Sequence, residues 1–598
     1  MTTIQEQLKE GLALHQAGNL AGAGEVYRTV LEAEPGNVDA LNLMGVVLQA
    51  GGELDTAIGL LEQAAELAPD YTAPLVNLGN ALQLKGRFED AVDTFAKALT
   101  LDPNLAEAAN NLASALNDLG RHQEAADACA KALKLMPDFG EAHNNLGNAL
   151  AGLGKAQEAE ESYRRAVDIN PGHATAYFNL GNALADQGLV EDAFDHYRKA
   201  VALDGGNAEK HYNLANTALK LDRYEEARES FENAIAIDAD YLDAHCNLGS
   251  ALQSLGRMED SIASYRRALA LAPKGAANDD GPSGDNADLH WNLALALLQN
   301  GDYAEGWAEY EWRWKNPDFK TPAKDVPEPL WDGGDLKGKT LLLHDEQGIG
   351  DTMQFIRYAP LAAAKGARVV VECRAELARL FAGMEGVDQV VERGGELPAF
   401  DCHAPLISLP RIFATTLDTV PAEIPYLSPP KGTPVDARIH EGGGLSVGFA
   451  WAGSQTHGND ANRSVDPDRF EPLMGVPGTR FFSLQVGGAR PGFEALAPGE
   501  NVFDLSPDLD DFADTVAAIE ALDLVISVDT AVVHLAGALG RPVWVLVPYA
   551  TSYMWLAGRD DSPWYPSLRL FRQSEPGDWD GVFDRVKEEL AKLAGNGG

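Results

Sequence analysis

"NLGNALAGLGKAQEAEESYRRAVDINP", residues 145–171, is the stretch whose reading decides the first half of the fold. Asn145-Leu146-Gly147 belongs to one helix, Gly154 turns the chain, and Ala159, Tyr163 and Ala166 fall on one face of a second helix that Pro171 ends. Moved by 34 residues in either direction, the same order returns. Pro35, Pro69, Pro103, Pro137, Pro171, Gly205, Ala239 and Pro273 mark the period. Asn-Leu-Gly or Asn-Leu-Ala recurs at 77–79, 111–113, 145–147, 179–181, 213–215 and 247–249, and turn glycines stand at 52, 86, 120, 154, 188 and 256. Small residues at fixed steps let paired helices cross closely, and the aromatics Tyr27, Phe95, Tyr163, Tyr197, Phe231 and Tyr265 fill the gaps between them.

This period and pattern resemble the tetratricopeptide repeat. Eight units cover residues 4 to 275, and a ninth resumes at Asn292-Leu293-Ala294, with Gly301 and Tyr310, after a polar insertion near 276–286. The expectation is a right-handed α-solenoid over residues 1–320, whose stacked helix pairs leave a concave groove. Asn77, Asn111, Asn145, Asn179, Asn213, Asn247 and Asn292 hold one position in successive units and so form a ladder along one face. An amide carries donor and acceptor together and can pair with any extended peptide backbone, or it can bond within the solenoid. The solenoid of O-linked N-acetylglucosamine transferases is similar in having such a ladder, which implies an acceptor-peptide-binding role.

The bulk composition narrows the partners. The 598 residues are 45% apolar and 23% charged, and the formal net charge is −43. Nucleic acid and anionic membrane surfaces reward positive charge and are poor partners for such a chain. The first residues are polar, no run of 18 apolar residues occurs, and the four cysteines lie far apart, so a cytoplasmic protein without a membrane span is expected.

After the Pro-rich segment 321–338 the period changes. Apolar runs at 340–344, 368–373 and 387–392 alternate with helical stretches at 352–365 and 374–383. A second set, at 445–451, 480–486, 522–529 and 541–548, follows a Pro- and Gly-rich stretch. Parallel sheets with crossover helices follow from this alternation, as two Rossmann-like domains, 339–440 on the acceptor side and 441–598 on the donor-nucleotide side. That arrangement resembles the α/β GT-B fold of glycosyltransferases, whose ligands sit outside the carboxyl ends of the strands.

Three motifs fall at those ends. In "SVDTAVVHLAGALG" (527–540) a strand runs into a helix at Asp529-Thr530, and free backbone N–H groups near Thr530, Ala531 and Val532 suit a phosphate. The words Asp-Thr-x-x-x-His-Leu-Ala resemble the donor-site motif of heptosyltransferases. That resemblance implies donor binding here, with His534 either orienting the loop or touching the ligand. In "FAWAGSQTHGNDANRSVDPDRF" (449–470), Trp451, Gly453 and Ser454 follow a strand, and small residues allow close approach of a ligand. Arg463 stands where the family pattern places a cation on the donor phosphate. "LLLHDEQGIGDTMQFIRYAP" (341–360) lacks the third glycine of a dinucleotide fingerprint. It looks instead like the glycine loop that opens the acceptor domain in heptosyltransferases, with Asp351 after the glycine. A carboxylate there is either a general base for an acceptor hydroxyl or a cap for a helix starting at Thr352.

Asp466–Asp468 and Asp508–Asp510 do not follow strand ends, and GT-B enzymes usually work without metal. No metal and no cofactor are expected, only a nucleotide-sugar co-substrate. Taken together, segment 305–360 and the donor motifs resemble bacterial repeat-plus-transferase proteins, including flagellin glycosyltransferases. The resemblance implies protein O-glycosylation, with flagellin as acceptor and a nonulosonic acid such as pseudaminic acid, from its CMP donor, as the sugar. A heptosyltransferase-like enzyme acting on a saccharide and a non-catalytic repeat scaffold are the other readings.

Overall fold

The computed structural model describes residues 3–272, 286–454, 460–496 and 499–595; of the insertion expected at 276–286, all but Asn286 lies outside them. The chain divides into two compact units, Met1–Ala239 and Asp240–Gly598.

The first unit is a run of antiparallel helix pairs from Ile4–Gln16 to Tyr224–Ile237. Thr3 and Glu6 close a capping box at its start. The glycine of each Asn-Leu-Gly is a packing requirement. A Cβ on Gly79 would lie 2.5 Å from Phe95, one on Gly147 2.4 Å from Tyr163, and one on Gly181 2.7 Å from Tyr197. The aromatic of the second helix thus rests on the backbone of the first. At the turns, Gly52, Gly86, Gly120, Gly154 and Gly188 adopt φ between 71° and 81°, which L side chains rarely adopt. The seventh turn carries Asp222 there instead, at φ 55°, a conformation aspartate tolerates better than most residues.

The helical pattern continues in the second unit, as Leu242–Ser254, Met258–Leu271, Ala287–Asn300, Tyr303–Glu309 and a 3-10 turn, Tyr310–Lys315. The expected solenoid boundary at 320 therefore differs from the division made by packing. The reason is one apolar face. Tyr303, Trp307 and Tyr310, spaced i, i+4, i+7, are all buried in the same core as Leu341, Leu343, Phe355 and Trp564. Trp307 meets Phe355 edge-on at 5.6 Å, and the Trp564 indole donates to the Tyr303 hydroxyl at 2.8 Å.

Two parallel sheets follow. Strands β1 (Thr340–His344), β2 (Arg368–Cys373), β3 (Gln389–Glu392) and β4 (Cys402–Pro405) form the first, in the order β3-β2-β1-β4. Strands β5 (Leu445–Ala450), β6 (Thr479–Ser483), β7 (Val502–Asp504), β8 (Leu524–Val528), β9 (Val543–Val547) and β10 (Leu568–Arg572) form the second, in the order β10-β9-β8-β5-β6-β7. Order reverses direction beside β1 and beside β5, the switch points where doubly wound sheets open a crevice. Three of these strands carry no strong signal in the sequence: "CHAP" and "VFD" are too short, and "LRLFR" alternates arginine with apolar residues at a sheet edge. Among the described residues no helix is long and apolar enough to cross a membrane.

Candidate functional site

The chain leaving β1 passes Asp345, Glu346 and Gln347 and enters the helix Ile349–Phe355 at Gly348. Helix formation begins three residues before the expected Thr352, so Asp351 is not the residue preceding the helix. It sits in the first turn and reaches back, its carboxylate accepting the Gly348 N–H at 2.9 Å. Burial pushes the Asp351 carboxyl up to about 7, the Gly348 bond opposing this and the charges of Glu346 and Asp529 adding to it.

The loop before it is held from the helical side. Arg313, fully buried, donates to both oxygens of Glu346 at 2.9 and 2.8 Å and to the Ser408 hydroxyl at 2.8 Å. Tyr310 and the Gln347 side chain are hydrogen-bonded at 3.0 Å, and Arg374 donates to the Gln347 carbonyl at 2.6 Å. Gln347 itself is at φ 54°, a strained position that this clamp maintains. Arg313 did not stand out in the sequence and Tyr310 did so only as a marker of the ninth repeat, whose tail "YEWRWK" (310–315) forms. Its density of aromatics around one arginine was the available signal.

Opposite, β8 ends at Val528, and Thr530 precedes the helix Ala531–Ala538. Asp529, Thr530 and Ala531 are half-buried and Val532 is buried. The first turn of any helix leaves amide N–H groups without intrahelical partners, and that turn stands at the carboxyl end of the sheet. The two helix starts converge, since a Cβ on Gly350 would lie 2.8 Å from the His534 ring. His534 is buried, stacks on Trp555 at 5.6 Å and lies 3.0 Å, through Nδ1, from the Tyr565 hydroxyl. Burial, helped by the charges of Arg357 and Arg463, lowers its pKa to about 3, so the ring is neutral. Its surroundings are those of an orienting residue.

Arg463, at the end of the short helix Asp460–Arg463, donates to the Asp529 carbonyl at 3.1 Å and pairs with Asp460 at 3.3 Å. Its guanidinium lies over Gly453, where a Cβ would come within 2.4 Å. Gly453 thus makes room for Arg463 rather than directly for a ligand. Ser454 is exposed, whereas the Trp451 side chain lies in the core against Phe449, at 5.7 Å, so the indole is turned away from the strand end. Arg463, Gly453, Asp529, His534 and Asp351 are thereby brought together; Trp451 is not. Among the described residues no three His, Cys, Asp or Glu side chains gather as metal ligands.

The asparagine ladder lies elsewhere. In the first unit, Asn77 donates to Asn42 at 2.8 Å, Asn111 to Asn80 at 2.9 Å and Asn145 to Asn110 at 2.9 Å. Asn179 donates to Asn144 and Asn148, each at 3.0 Å, and Asn213 to Asn182 at 3.2 Å. Asn247 and Asn292, in the second unit, are half-buried like the others, and Asn292 lies 4.0 Å from the Cys246 sulfur. Successive repeats are therefore linked by side-chain amides. Beside Asn110, Asn111, Asn144 and Asn145 is a groove of about 680 Å³ that also takes in Asp118 and Glu141.

Comparison with known proteins finds repeat and transferase profiles in separate segments of the chain. Tetratricopeptide repeat profiles match residues 36–104, 104–170, 144–208 and 212–276, and the glycosyltransferase family 9 (heptosyltransferase) profile matches residues 493–559. The chain combines tetratricopeptide repeats with a family 9 glycosyltransferase segment, which contains Asp529 to His534. Protein FlbA of Caulobacter vibrioides is 29% identical over 356 residues, which are 53% of this chain and 57% of FlbA. This chain thus spans little more than half the length of that relative. Crystal structures of MamA and of YrrB, the latter described as a TPR protein with an unusual peptide-binding site, are each 28% identical. They cover 27% and 31% of this chain and 95% of their own, with TM-scores of 0.25 and 0.26.

Proposed function

We propose that this chain is a metal-independent GT-B protein O-glycosyltransferase. Its repeats hold an acceptor polypeptide, with flagellin as the leading candidate, while its α/β half transfers a sugar from a nucleotide-sugar to Ser or Thr. The sugar in this reading is a nonulosonic acid such as pseudaminic acid, carried by CMP. One observation supports the proposal: a carboxyl group pushed up to about 7 lies close to a second helix start, whose Asp529 carbonyl a fixed arginine holds. Asp351 takes the proton of the acceptor hydroxyl as its oxygen bonds to the anomeric carbon. The bond from that carbon to the donor phosphate breaks, and the phosphate leaves with the electron pair. The N–H groups at Thr530 to Val532 and the Arg463 guanidinium face the growing negative charge, which matters in a chain of net charge −43.

Calorimetry with CMP, UDP, GDP and ADP tests the donor side. Wild type is expected to bind one of them, and Arg463→Ala to weaken that binding roughly 10- to 100-fold, the range for a lost charge-assisted hydrogen bond. Equal affinity in the variant would remove Arg463 from the donor site.

A further inference from the structure

A buried ion pair adds little stability that apolar side chains of the same shape would not, because both partners must be stripped of water. Arg313 and Glu346 form such a pair, their side chains 0% and 1% exposed. What apolar residues could not supply is direction and charge. The guanidinium takes both Glu346 oxygens in a fork and also donates to the Tyr310 carbonyl at 3.2 Å, the Glu311 carboxylate at 2.9 Å and the Ser408 hydroxyl at 2.8 Å. Glu346 further accepts the Ile407 N–H at 3.2 Å. The pair therefore ties the exit of β1 to the 3-10 turn Tyr310–Lys315 and to the turn Leu406–Ser408 after β4. With Gln347 clamped at φ 54° and Asp351 bonded back to Gly348, the loop is fixed at both ends.

Burial is the first cause of the raised Asp351 pKa, and among neighbouring charges Glu346 acts most, ahead of Asp529 at the end of β8. The phenols of Tyr310 and Tyr553 also lie within reach of the Asp351 charge. His534, beside Gly350, is neutral, and Arg463 is turned to Asp460 and the Asp529 carbonyl. Glu346 itself faces Arg313 and Glu311. We infer that Glu346 is a positioning residue for sugar transfer, fixed in place by Arg313: the pair sets the course of the loop and keeps a carboxylate near Asp351 that cannot turn away. This rests on Asp351 being the base in the glycosyltransferase reading. A like charge nearby disfavours ionisation of a base and makes it a stronger proton acceptor once ionised.

Full-length Glu346→Gln keeps an acceptor for the Ile407 N–H and removes the charge. It is to be compared with wild type in two readouts. One is the pH profile of kcat/KM for transfer from a CMP-linked nonulosonic acid to flagellin. The other is the 13C titration of the Asp351 carboxyl, identified as the resonance that Asp351→Asn removes. Both midpoints are expected to fall by about one pH unit, the size of effect a close like charge has. Turnover on the high-pH plateau is expected to drop roughly 3- to 10-fold, as a weaker base gives, with CMP affinity by calorimetry unchanged. Arg313→Met combined with Glu346→Gln removes both charges, which buried pairs commonly tolerate. It should still lower the carboxyl midpoint and should cost more turnover, since the loop is no longer gripped. Midpoints that stay at the wild-type pH in both variants would overturn the inference, as would lost transfer with an unmoved carboxyl titration, the mark of a purely structural pair. A wild-type chain that transfers no sugar would overturn the glycosyltransferase reading first and this role with it, whereas wild-type transfer with unmoved midpoints in the variants would overturn this role alone.

Discussion

Asp351 owes its raised pKa to where the chain places it. A carboxylate supported by backbone N–H groups, that of Gly348 foremost, but buried and near the charges of Glu346 and Asp529, resists ionisation. Its folded pKa, about 7, lies above the ordinary 3.8, so the protonated form favours the fold. The stability this group contributes is fully present below about pH 4 and is lost as pH rises through 7. Catalysis runs the other way, because a base must be ionised, and kcat/KM should rise through an apparent pKa near 7. Asp351→Asn tests both signs at once. It keeps an acceptor for the Gly348 N–H, so melting at pH 8 should equal or exceed wild type, while turnover falls roughly 10²- to 10⁴-fold. Turnover within about threefold of wild type, with the pH profile unchanged, would leave Asp351 as a helix cap and nothing more.

At the scale of elements, the ladder bonds successive repeats together, and in the proposed function the same amides also hold the acceptor peptide. The Asn145 and Asn213 amides each donate once to the preceding repeat and have a second N–H to offer a peptide in the groove, whereas Asn179 donates to both Asn144 and Asn148 and has its carbonyl to offer. Asn145, Asn179 and Asn213 replaced together by alanine should therefore weaken acceptor binding and also lower the melting temperature of the repeats. Each lost inter-repeat bond costs about 0.5–1.5 kcal/mol. A lower melting temperature with unchanged acceptor affinity, measured by circular dichroism and a pull-down, would make the ladder purely structural. The elements themselves were largely legible in the sequence. The 34-residue period reports a local rule, a small residue under each aromatic, and local rules repeat visibly. The strands β4, β7 and β10 were not legible, because short or edge strands are chosen by their neighbours rather than by their own residues. Asp351 and the 529–534 turn could be read because a strand-to-helix turn leaves a local signature. The places of Arg313 and Tyr310 could not, since their contacts span more than thirty residues of chain.

At the scale of the molecule, the final repeat shares one core with the α/β half. Tyr303, Trp307 and Tyr310 share a hydrophobic cluster with both sheets, and Arg313 grips the loop that carries Asp351. On this account the repeat array and the crevice belong to one enzyme that modifies a polypeptide. Intact-mass spectrometry of flagellin co-expressed with the full chain, in cells supplying a CMP-linked nonulosonic acid, tests that claim most directly. The account predicts an added mass of one or more nonulosonic acid residues on flagellin with wild type, and none with Asp351→Asn, although both bind it. Flagellin that binds the wild-type chain and emerges at its unmodified mass would contradict it.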